Sequence, residues 1–133
     1  PAQVDAIQNF IDNAVDMNGM FKSCKGLSSL ELSKFKTDNV LYMNDMFASC
    51  TSLTSLDLSS FKTNKVSNMS AMFYEDQNLA ELDIRNFDSS NCNHFESMFE
   101  KVYDNITVVI DKNKCNNMIK YLPENAHYKE SLF

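Results

Sequence analysis

A single step of 26 residues runs through this chain. Met17, Met43, Met69 and Phe95 fall at that interval, and so do Met20, Met46, Met72 and Met98. Each member of the second set is followed by a phenylalanine: Phe21, Phe47, Phe73 and Phe99. Leucines keep the same step at Leu27, Leu53 and Leu79, and again at Leu30, Leu56 and Leu82, with Val108 next. Three full copies align without a gap. A strict period of this length marks supersecondary units that bury their apolar faces against one another, rather than one globular core.

Each copy reads as two halves. In the second, Val40, Met43, Met46, Phe47 and Cys50 are three or four residues apart, the spacing of an apolar helical stripe. Leu56 and Leu58 then alternate with Ser55, Asp57 and Ser59, the period of a strand with one buried face. Phe61 closes the unit before a polar turn, Lys62 to Lys65. Connections that repeat in one sense make the strands parallel, and handedness favours a right-handed winding. The expected fold is an α/β repeat: a right-handed solenoid with a short parallel sheet on one face and short helices on the other.

The chain is one domain of 133 residues, with 44% hydrophobic and 23% charged residues, a composition that folds. We expect an N-terminal helical cap over 1–13, three full repeats and one partial repeat over 14–111, and a C-terminal cap over 112–133. Val4, Ile7, Phe10 and Ile11 supply the stripe of the first cap. Cys115, Met118, Ile119 and Leu122 supply a helix in the second, stopped by Pro123. Glu124 to Phe133 carries no pattern.

The frame Leu27-Ser-Ser-Leu30-Glu-Leu32, repeated as Leu53-Thr-Ser-Leu56-Asp-Leu58, is the L-x-x-L-x-L of leucine-rich repeats. Together with Val66-Ser-Asn-Met69-Ser-Ala-Met72-Phe73 it resembles the 26-residue repeat of the BspA-like leucine-rich repeat family of bacterial surface proteins, over about residues 14–111. Lys36 and Lys62 depart from that pattern, which has aspartate there and keeps it at Asp88. The resemblance implies an LRR-like solenoid acting as a non-enzymatic protein-binding or adhesion module at the cell surface or in secreted form.

Composition bounds the alternatives. A net charge of −6 argues against nucleic acid, whose phosphates demand a basic face, and permits a basic protein or peptide partner. No apolar run approaches the ~18–20 residues of a membrane span, and the first residues lack a signal-peptide pattern. Pro1 at the start reads as a processed or excised chain. These features, with acidity and small size, keep open a second reading: a cytoplasmic, soluble inhibitor of the immunity or antitoxin kind. Cys24 and Cys50 share a column where neighbouring units bring Cα atoms within disulfide reach. Both point inward, however, so reduced, buried thiols are expected.

Recognition belongs to the outward strand positions. Ser29, Ser55, Glu81 and Thr107 form one row; Glu31, Asp57, Asp83 and Val109 a second; Ser33, Ser59, Arg85 and Asp111 a third. Glu31, Asp57, Asp83, Glu81, Arg85 and Asp111 are the candidate binding residues. The acidic ladder is compatible with a plain solvated face, with recruitment of a basic partner, or with calcium, although no calcium-loop pattern occurs. The methionine and phenylalanine columns are core rather than a cofactor pocket. Catalysis has little support: Cys92 and His94 could pair as nucleophile and base, but Cys92 takes the interior column of Val40 and Val66. No catalytic residue, metal or cofactor is expected.

Overall fold

The computed structural model describes residues 11–130. Its backbone is organised by hydrogen bonds from each 26-residue unit to the next. In the second unit Met43, Asp45, Phe47 and Ser49 donate their N–H groups to the carbonyls of Asn68, Ser70, Met72 and Tyr74, at 3.0, 2.9, 3.0 and 2.6 Å. The first unit does the same from Met17, Gly19, Phe21 and Ser23, and the third from Met69, Ala71, Phe73 and Glu75. The N–H groups in between turn back within their own unit, as in Met46 to the Met43 carbonyl (3.3 Å) and Ala48 to that of Asp45 (3.2 Å).

This arrangement replaces the short helices that the spacing predicts. A helix commits its N–H groups to carbonyls four residues back in the same segment, which would leave none for the neighbouring unit. Donating alternately within and between units instead requires left-handed residues at two columns. Gly19, Asp45, Ala71 and Ser97 form one, and Ser23, Ser49, Glu75 and Lys101 the other, with φ from 54° to 65°. Such a conformation costs a non-glycine residue of order 1–3 kcal/mol; here most of these residues donate a cross-unit hydrogen bond that offsets it. The apolar columns of the second and third units still face inward, since spacings of three and four serve a chain of turns as well as a helix; Met20 of the first unit, expected in the core, is 40% exposed.

The strand half of the unit behaves as its period of two requires. β1 (Ser55–Asp57), β2 (Glu81–Ile84), β3 (Thr107–Ile110) and β4 (His127–Glu130) form a parallel sheet in that order. Leu56 stands beside Leu82 and Leu82 beside Val108, the 26-residue register. Two elements differ from expectation. The first copy, Leu27 to Leu32, is not a strand of this sheet. At the edge it would gain ladder bonds on one side only, and it is tied to the next unit by side chains: Ser52 Oγ donates to the Lys25 carbonyl (2.5 Å) and Ser60 Oγ to that of Leu32 (3.1 Å). At the other edge the patternless tail supplies β4, with His127 beside Thr107 and Lys129 beside Val109.

The expected caps are only partly within view. Val4, Ile7 and Phe10 lie outside the described residues, while Ile11 packs against the core. Cys115, Met118 and Leu122 are buried as their spacing predicts. The helix expected there is a single 3₁₀ turn, Ile119–Tyr121, because successive bonds reach back three residues and Pro123 ends the run.

Between the two faces the columns pack into one core. Phe21, Phe47, Phe73 and Phe99 stack in sequence with ring centroids 5.5, 5.9 and 5.3 Å apart. Met43, Met46, Met69 and Met72 are fully buried beside them. A polar column runs through the same interior. Thr63 Oγ1 donates to the Asp88 carbonyl (2.9 Å) and accepts the Asp88 N–H (2.8 Å), and Thr37 makes the same pair with Lys62 at 2.7 and 2.9 Å. Thr63→Val keeps the shape but strands both groups of Asp88, so urea denaturation should show a loss of about 1–3 kcal/mol. Thr63→Ser should recover most of it.

Candidate functional site

The acidic residues of the strand face first do work for the fold. Asp57 Oδ1 accepts the N–H of Ser59 at 2.9 Å, and Asp83 Oδ1 that of Arg85 at 3.1 Å. Glu31 Oε1 accepts the N–H of Ser33 (2.9 Å) and Asp111 Oδ1 that of Asn113 (3.0 Å). Asp16, Asn68 and Asp88 repeat the device elsewhere, each bonding the residue two places on. A short carboxylate or amide that captures the N–H two residues later closes a turn by itself. These bonds to Ser33, Ser59 and Ser90 hold Glu31, Asp57 and Asp88 below the usual carboxylate range.

The like-charge ladder is also partly neutralised. Asp57 and Asp83 are register partners. The Arg85 guanidinium lies on Asp83, with Nε at 3.1 and 3.0 Å from the two oxygens and Nη2 at 2.7 Å, and it helps to hold Asp57 ionised. Arg85 therefore belongs to the face as the counter-charge that lets two aspartates sit on adjacent strands.

Parallel pairing spreads the outward side chains into two rows across the sheet: Ser55, Glu81, Thr107 and His127, and Asp57, Asp83, Val109 and Lys129. They surround an open depression lined by Ser55, Asp57, Glu81, Asp83, Thr107, Val109 and Lys129. Of the six candidates, Asp57, Glu81 and Asp83 meet there, with Arg85 held against Asp83. Glu31 lies off the sheet in an adjoining hollow shared with Asp57, Ser59 and Ser60. Asp111 follows β3 and closes a turn instead.

Sequence reasoning missed Lys129 and His127. β4 pairs with β3 at an offset of 20 residues (Thr107 with His127), so a search at 26 passes over it. Its residues, His127-Tyr-Lys-Glu130, carry no alternation either, because all four are exposed and no buried face imposes a period of two. Among the described residues, the side chains of Glu81 and Lys129 have no hydrogen bond or ion pair, unlike Asp57 and Asp83.

The Cys92 and His94 pair does not assemble a nucleophile. Cys92 is buried, its thiol pushed up by that burial, and it donates to the His94 carbonyl rather than to the ring. The His94 ring faces outward, with Nδ1 3.5 Å from Glu96 Oε1. A reactive thiol needs the opposite setting. The four cysteines are free thiols, with Cys50, Cys92 and Cys115 buried and Cys24 half-buried. Among the described residues, no three His, Cys, Asp or Glu side chains are placed to share a metal ion, and no helix is long and apolar enough to cross a membrane.

The turn-closing role of Asp57 is separable from its charge. Asp57→Ala should cost about 1 kcal/mol in chemical denaturation through the lost hydrogen bond. Asp57→Asn keeps an acceptor for Ser59 and should lose less. A carboxyl held low in the folded state stabilises above its ordinary range and loses that contribution as pH falls. Asp57→Asn should accordingly be less acid-sensitive than the parent chain below about pH 4.

No curated protein and no solved structure matches the chain. The family described as "Mycoplasma protein of unknown function, DUF285" matches residues 3–113, and with most of its length covered the chain belongs to that family.

Proposed function

We propose that this chain is a right-handed solenoid of the BspA-like leucine-rich repeat kind, and that it serves as a non-enzymatic recognition module of a surface-associated or secreted bacterial protein. Its strand face takes a protein or peptide partner carrying basic groups. The observation that carries this reading is the depression over the sheet, where Glu81 and Lys129 project without partners among the described residues. Charges that the fold does not use are available to a ligand. The 26-residue phase of Met, Phe and Leu columns supports the repeat assignment, and the mycoplasma family supports a bacterial source.

The geometry adds a polarity to that partner. Asp57 and Lys129 stand at opposite ends of one row, three strand spacings apart, or roughly 14 Å. That exceeds the ~8 Å screening length at physiological salt, so neither charge cancels the other. An extended segment crossing the strands covers this span in about four residues, with its basic side chain over Asp57 and Glu81 and Val109 beneath its middle.

A displayed library of random peptides, panned against the chain, tests the reading. Enriched peptides should be basic, and Glu81→Lys should weaken them about fivefold at physiological salt while leaving unfolding within ~0.5 kcal/mol. Enriched peptides indifferent to Glu81→Lys and to Asp57→Lys would remove the strand face as the binding surface.

A further inference from the structure

Among the described residues, one carboxyl group lies inside the molecule. Asp76 is fully buried, and its Oδ2 has no hydrogen-bond partner among the described residues. It occupies the column of Cys24, Cys50 and Val102, where every other member is apolar or a thiol.

Its presence changes the backbone of the neighbouring unit. Cys24, Asp76 and Val102 each donate their N–H to the carbonyl three residues back, those of Phe21, Phe73 and Phe99, at 3.2, 3.1 and 3.4 Å. Cys50 alone in the column donates across to the next unit, to Asp76 Oδ1 at 2.8 Å. The second and third units are thus joined by a side-chain bond that the other joints lack.

We infer that Asp76 is a proton-operated clasp between the second and third units: protonated, it sits in the dry joint while Oδ1 accepts the Cys50 N–H, and ionised, it accepts that N–H more strongly but carries an uncompensated charge at its unpartnered Oδ2, which draws water in and loosens the joint. Among the described residues, nothing packed around it supplies a counter-charge. From the second unit it meets Cys50, whose own thiol is pushed up to about 11 by burial and by the Asp76 charge, and is therefore neutral. Ser49 and Glu75 bond each other beside it (2.9 Å). From the fourth unit the column brings Val102, and Lys101 next to it lies over the Tyr74 ring at the surface.

The sign follows from burial. Lack of solvent pushes the Asp76 carboxyl up to about 8, against the opposing pull of the Cys50 N–H. In the unfolded chain it returns to the ordinary carboxylate range near 3.9. The folded state then binds the extra proton between these values, so this contribution is complete below about pH 4 and is lost as pH rises towards 8. That is opposite to the acid-side behaviour of Asp57.

The test uses the full chain with ¹³C-labelled aspartate. One carboxyl resonance should titrate with a midpoint well above pH 6, near 8, and the Cys50 amide resonance should move with it. Urea denaturation from pH 5 to 9 should show stability falling across the range. Asp76→Asn and Asp76→Cys, the latter restoring the residue of the column, should both flatten that fall. An Asp76 carboxyl that titrates below pH 5 would overturn the proposal. So would a pH dependence unchanged in whichever variant folds; should neither fold, the titration of the parent chain decides.

Discussion

Everything in this molecule depends on where its backbone N–H groups go. In the turn segments of the first three units every second N–H is donated to the next 26-residue unit, and those in between close locally. A unit taken alone would leave half of these donors without protein acceptors and expose its methionine and phenylalanine columns. Stability therefore resides in the joints between units, as expected of repeat architectures. The same bonds explain why Asp45 and Ala71 accept a left-handed backbone that glycine holds at Gly19. These recurring conformations are part of the repeat and not the isolated strain that marks a functional site.

Polar side chains follow the same logic. Thr37 and Thr63 reach the next unit from inside, and the aspartates of the strand face close the turns that follow their strands. Much of what looks like a charged recognition surface is thus committed to the fold, with Arg85 balancing part of it. Two kinds of residue are left over. Among the described residues, Glu81 and Lys129 make no side-chain bond at the surface, and Asp76 is buried at a cost that no packing argument requires. We place recognition on the first kind and pH response on the second.

The inward columns were legible because side-chain identity records burial: Met43, Met46, Phe47, Met69, Met72 and Phe73 are all buried where their spacing puts them inside. The parallel register of Leu56, Leu82 and Val108 was legible for the same reason. Cys92 was correctly read as interior from Val40 and Val66. The site was only half legible. Asp57, Glu81 and Asp83 share a face as expected, but Glu31 leaves it because Leu27 to Leu32 does not join the sheet. Lys129 enters it on a strand outside the period.

The sequence by itself determined the period, the inward columns and the alignment of equivalent residues in neighbouring units, because apolar side chains at fixed intervals must be buried together. Tertiary structure decided which carbonyl each N–H would use. Apolar spacings of three and four fit a helix and a chain of turns equally well, and only an adjacent unit offers the acceptors that select the turns. The same holds at the ends, where β4 forms because β3 presents a free edge, and in the interior, where Asp76 redirects the Cys50 N–H because the two meet only across a joint.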